Sequence, residues 1–155
     1  MRIYIIAVGE RMPEWVAQGY QEYIKRLGPE LPVELVEIPA GKRGKNAAIN
    51  RILEREAKYI QAKIPANSLV VALDVKGKTW STEELSAHIA DWQQQGSNIC
   101  FLIGGPEGLT PELIEDADIR LSLSRMTFPH PLVRAILAEQ LYRAYSILKN
   151  HPYHK

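Results

Sequence analysis

Cysteine is nearly absent: Cys100 stands alone among 155 residues. One thiol can build neither a disulfide nor a cysteine-based metal framework, so no metal centre is expected. Set in the apolar run Ile99–Ile103, it reads as a small buried hydrophobe. Also missing is any apolar stretch near the roughly 20 residues that a bilayer-crossing helix needs. Met1–Val8 has a short strand pattern with no small-residue cleavage site. The chain is therefore expected to be cytoplasmic, away from any membrane. It contains no internal repeat, linker or low-complexity tract, and 46% of its residues are hydrophobic. One domain over residues 1–155 with a real core is the expectation.

Net charge is short as well, only +1 at pH 7, which excludes a uniformly basic nucleic-acid binder. The distribution is uneven, however. Glu83 to Asp118 holds eight acids and no Lys or Arg. Ala40–Lys63 sets seven bases against two acids, and Arg120–Lys155 six against one, so each of these segments carries +5. Such polarity offers basic surface to phosphates while the total stays near neutral.

Five hydrophobic runs, Ile3–Val8, Val33–Ile38, Leu69–Leu73, Ile99–Ile103 and Ile119–Leu123, alternate with helical patterns. Pro13 opens the first helix, whose apolar positions from Trp15 to Leu27 keep the 3.6-residue period. Ser81 and Glu84 have capping-box spacing ahead of the third. Strand–helix alternation with short loops predicts an α/β fold with a parallel sheet and helices on both faces. Gly41-Lys42-Arg43-Gly44-Lys45-Asn46 puts three cations before a helix. It suits a phosphate or forms a solvated loop, and it lacks the Gly-Lys-Ser/Thr ending of a P-loop.

Ile99–Ile103 is apolar throughout, as expected of a strand buried on both faces. It ends in Gly104-Gly105-Pro106-Glu107-Gly108, and Thr110-Pro111-Glu112 then reads as N-cap, first helical residue and first-turn acid. Open α/β sheets bind ligands at such carboxyl ends. After the fifth strand, Ser122–Pro131 has two prolines in an irregular wall. Its Leu123, Met126 and Phe128, together with the Gly turn, suit a flat ring such as adenine. His130, just before Pro131, is expected at the N-cap of the last helix.

That last helix is apolar over most of its circumference, so it is deeply buried or shared with a second subunit. Arg134 lies mid-face and must meet a structural acid or carbonyl, or a ligand phosphate. The end of the chain, His151-Pro152-Tyr153-His154-Lys155, is either disordered or able to stack on an unpaired base.

Four stretches together resemble the small SPOUT-class methyltransferases: 41–46, Ile103-Gly104-Gly105-Pro106-Glu107-Gly108, Met126-Thr127-Phe128-Pro129-His130, and Tyr153-His154-Lys155. More narrowly they are similar to the family that methylates N3 of a pseudouridine in large-subunit (23S) ribosomal RNA. The resemblance spans the whole chain. It implies a deep trefoil knot at the carboxyl end, a homodimer, S-adenosyl-L-methionine as cofactor and the ribosome as partner. Carried over by position, the cofactor would lie against Leu73, Gly104, Gly105, Leu123, Ser124, Arg125, Met126, Thr127 and Phe128. The implied catalytic residues are Tyr153 and His154, which would stack on and orient the base. Arg134, His130 and Lys155 would hold the RNA. The base that takes the N3 proton stays open among His154, His130 and Glu139, with water sufficing if the imide anion is stabilised. A non-catalytic ribosome-binding factor is the rival from another class, separable by its lack of affinity for S-adenosyl-L-methionine.

Overall fold

The computed structural model describes residues 1–44 and 48–155. Of the expected phosphate cradle, Lys45 and Asn46 lie outside the described residues. The strands are β1 (Ile3–Val8), β2 (Val33–Ile38), β3 (Ser68–Thr79), β4 (Asn98–Ile103) and β5 (Ile119–Ser122). They form one sheet in the order β2-β1-β4-β3-β5, every pairing parallel. The helices are α1 (Glu14–Ile24), α2 (Ile49–Lys63), α3 (Thr82–Gln95), α4 (Pro111–Asp116) and α5 (His130–Leu148).

Strand side chains alternate between two cores. Ile3, Ile5, Ala7, Val71, Phe101 and Ile103 pack with α1, α3 and α5 through Tyr20, Leu85, Ile89, Trp92 and Leu137. Ile6, Val8, Ala72, Cys100 and Leu102 face the other way, against Ile60 of α2 and Leu113 of α4. A strand covered on both sides has no use for polar residues, which explains the unbroken run in β4. The N-caps predicted at Ser81 and Thr110 are present. Ser81 Oγ accepts from Glu84 N–H, and Glu84 accepts in turn from Ser81 N–H. Thr110 Oγ1 accepts from Leu113 N–H.

Two boundaries depart from the sequence pattern. Helix α1 stops at Ile24, and Leu27 follows in a turn closed by its N–H to Ile24 O. Strand β3 runs well past Leu73. Leu121 of β5 is the partner of both Leu73 and Lys78, so the intervening residues of β3 bulge out of register. A Cβ on Gly77 would come within 2.8 Å of the Arg120 carbonyl, so glycine is what lets β3 rejoin β5 after the bulge. Among the described residues no helix is long and apolar enough to cross a membrane.

Candidate functional site

Neighbouring strands β3 and β4 send their chains to opposite faces of the sheet, β3 to α3 and β4 to α4. Loops diverging in this way leave a crevice at the strands' carboxyl ends, the usual ligand position of open α/β sheets. The crevice here measures about 270 Å³. The Gly turn, residues 104–108, forms one wall. Leu123, Ser124, Met126, Thr127, Phe128 and His130 form the wall opposite. Leu73, Leu109, Ile114 and Val133 supply apolar surface between them, and Asp74 and Val75 add residues from the β3 bulge. The Gly turn and the proline-flanked wall thus face one another across open space, as expected.

Gly104 and Gly108 shape the turn itself. A Cβ on Gly104 would fall within 2.8 Å of Gly108 Cα, because the turn folds onto itself. Gly108 N–H donates to Gly105 O at 2.9 Å, closing a β-turn with Pro106 in its second position. Gly108 has φ +79°, a left-handed conformation that favours glycine. The space left by the missing side chain at Gly104 is filled by the chain itself. What the turn offers a ligand is its backbone, held rigid.

An ion-pair network anchored on the buried Glu56 holds this turn from behind. Arg43 Nε donates to Glu107 Oε2 at 2.6 Å, and its terminal nitrogens reach both oxygens of Glu56 at 3.0 and 3.2 Å. Glu56 is only 3% exposed and also accepts from Gly41 N–H. Arg43 is therefore spent on carboxylates and is not a free phosphate ligand. Glu56 was legible as an anomaly, a carboxylate on the apolar stripe Ile49, Ile52, Leu53, Ile60 that had to find a cation.

His130 does not cap α5. Pro129 holds the N-cap position, with no side-chain cap bond, and His130 is the first helical residue. Its imidazole instead lines the crevice. Burial, reinforced by the Arg134 and Arg43 cations, pushes its pKa below the ordinary histidine value. Arg134 takes the structural alternative within this chain. At 2% exposure it donates to Glu37 Oε2 at 2.6 Å and to the carbonyls of Gly9 and Val8 at 2.7 and 3.4 Å. Arg125 is exposed and outside the crevice lining.

Tyr153, His154 and Lys155 lie elsewhere. The 3₁₀ turn Pro152–His154 follows the carboxyl end of α5, whereas His130 begins the helix. Nineteen residues of helix separate these ends, about 27 Å at 1.5 Å per residue. Tyr153 Oη donates to Glu139 Oε2 at 2.9 Å, and its ring packs on Tyr142 with centroids 4.6 Å apart. Arg143 donates to the same Glu139 oxygen at 2.9 Å and stands over the Tyr153 ring. Burial and the Glu139 carboxylate raise the Tyr153 phenol pKa. The tail is ordered on α5, a placement that neither alternative drawn from composition specified.

The residues present fit an adenosine-bearing sulfonium cofactor: apolar surface for a flat ring, backbone groups on both walls, and the acid Asp74 for a cation. The volume is near the lower end for small-molecule sites.

Comparison with known proteins agrees with this geometry. Residues 1–154 match the family described as "Predicted SPOUT methyltransferase". The chain is 52% identical over 155 residues to Ribosomal RNA large subunit methyltransferase H of Ectopseudomonas mendocina (strain ymp), covering 100% of both. Its fold is shared with a probable methylase family protein from Haemophilus influenzae Rd KW20, with a TM-score of 0.57 and 14% identity over 99% of this chain and 70% of that one. A putative methylase family protein from Neisseria gonorrhoeae has a TM-score of 0.50 and 11% identity over 90% and 81%. By these matches to its full length, the chain belongs to the SPOUT methyltransferase family.

Proposed function

We propose that this protein methylates N3 of a pseudouridine in large-subunit (23S) ribosomal RNA, on the assembled ribosome, with S-adenosyl-L-methionine as donor. The full-length relative named for ribosomal RNA methylation supports the substrate class. The observation that carries the reading is the crevice between the Gly turn and the proline-flanked wall. A deep trefoil knot in the carboxyl-terminal part and a homodimer belong to the same proposal. The dimer is supported by the separation of the tail from its own crevice and by apolar surface such as Trp15, 62% exposed on α1.

Bound in the crevice, the cofactor supplies a methyl group on a sulfonium. Leu73, Gly104, Gly105 and residues 123–128 would hold it, with Arg125 contributing backbone only. Asp74 places negative charge where a cation is to be held. The nucleophile is an imide nitrogen that must lose its proton. Glu139 is engaged by Tyr153, Arg143 and Gln140. His130 is on the crevice wall with its pKa held low, so its imidazole is neutral near pH 7 and able to accept that proton. Tyr153 and His154 of the partner subunit would complete the base-binding wall and fix the ring in line with the methyl group. Arg134 acts through Gly9 and Val8, as a positioning residue.

Tritium transfer from labelled cofactor to ribosomes of a strain lacking this methylation tests the proposal. Label confined to one pseudouridine is the expected result. A calorimetric titration without any heat of cofactor binding would sink it.

A further inference from the structure

Helix α2 lies on the face opposite α5, over β1 and β2. Beside it is a hollow of about 480 Å³, separate from the crevice, whose rim includes Lys42, Arg51, Arg55 and Tyr59. The last three recur at every fourth residue and so form one stripe along the helix. All four are exposed, Tyr59 at 47%. Lys42, Arg51 and Arg55 have no ion pair with any carboxylate of the described residues. The hollow's own acid, Glu56, has both oxygens taken by Arg43 and Gly41 N–H. Arg51 also stands in the first turn of α2, where the helix dipole disfavours a cation. Three unpaired cations around one concavity, with an exposed ring beside them, make a positively charged surface with an aromatic face.

We infer that this hollow is a second RNA-docking surface, gripping the phosphate backbone of the substrate RNA through Lys42, Arg51 and Arg55 and stacking one unpaired base on Tyr59. The inference rests on the RNA-substrate reading above and deepens it. Phosphates meet cations and a base meets an aromatic face, the combination by which single-stranded RNA is held without sequence readout. The hollow is joined to the crevice through Arg43, which bonds Glu56 on one side and Glu107 of the Gly turn on the other. RNA seated there is held at a fixed offset from the reacting centre. The exposed acids Glu112, Glu115 and Asp116 of α4, over β3 on the same face, repel phosphate and confine the path to the β2 edge.

The test uses the full chain and ribosomes lacking the methylation. In R51E/R55E, the KM for ribosomes should rise roughly tenfold. Both kcat and the cofactor Kd should stay within about twofold. The dependence of log(kcat/KM) on log salt should flatten by about 1.4 to 1.8, the share of two phosphate contacts. Y59A should lose about fivefold in kcat/KM and Y59F should retain it. Unchanged KM and salt slope in R51E/R55E, with the wild type active, would overturn the surface and leave the methylation reading standing. If the wild type transfers no methyl group, the methylation reading fails instead. Binding of a labelled single-stranded RNA 20-mer then decides the surface, equal affinity of wild type and R51E/R55E counting against it. Should R51E/R55E lose cofactor binding through misfolding, R51Q/R55Q replaces it under the same criteria.

Discussion

Helix α5 carries functional candidates at both ends, under opposite conditions. At its start His130 enters a crevice whose remaining walls come from β3, β4 and the loops after β4 and β5 of the same chain. At its end Tyr153 is folded back onto the helix that precedes it, bonded to Glu139 and packed on Tyr142. The crevice is assembled by long-range contacts between segments of one chain. The tail is held chiefly on α5, with Tyr23 of α1 edge-on to the Tyr153 ring, and lies away from that crevice. In the homodimer proposed above the tail of one chain serves the crevice of the other, so cofactor binding should be a property of the protomer and methyl transfer a property of the pair.

The strongest way to break that contrast is to remove the tail's side chains. Y153A/H154A should lose at least about 100-fold in kcat while cofactor affinity stays near normal. Mixed dimers of Y153A/H154A with a crevice-defective chain should regain part of the activity, since one intact pair of surfaces survives. Equal loss of binding and turnover, or no recovery in mixed dimers, would place both functions in one protomer. The crevice-defective chain is the second prediction. In G104A the new methyl group meets Gly108 backbone, which cannot yield as a side-chain tip can. A loss of about 1–3 kcal/mol in denaturant unfolding is expected, with cofactor affinity down at least tenfold. Gly105, whose Cβ would lie 3.1 Å from the Arg43 guanidinium, should tolerate alanine better.

The smallest effect concerns pH. The folded state holds His130 below its ordinary value, so the unfolded chain binds a proton first as pH falls. His130 contributes stability fully above about 6.5, and that contribution is lost as pH drops from there toward the lower folded value. Thermal melts from pH 7 to 5 should show a decline, on the order of 2 °C or less, that is absent in H130N. A larger decline in H130N than in the wild type would reverse the assignment.

The sheet and the crevice walls were legible because each rested on a strong local signal: unbroken apolar runs, a glycine cluster, a pair of prolines. Less visible was whatever depended on a distant partner. The bulge in β3 is set by the approach of Gly77 to Arg120, and no periodicity reports it. Asp74 and Val75 joined the crevice only because of that bulge. The role of Arg43 required Glu56 and Glu107, the latter 64 positions away. For Arg134, a cation on an apolar face leaves both a structural ion pair and a ligand contact open. Only the position of Glu37, 97 residues distant, separates them. His130 was assigned to the cap from its place before Pro131, but α5 begins one residue earlier and leaves the imidazole for the crevice.

The Arg134 contact also bears on how the molecule is made. Its guanidinium supplies hydrogen bonds to carbonyls at the end of β1, 125 and 126 positions earlier in the chain. The last residue of the sheet, Ser122, is synthesised before that guanidinium is. Until α5 clears the exit tunnel, the mouth of β1 and the Glu37 carboxylate stay solvated, and the first strand waits for the last helix to close the structure.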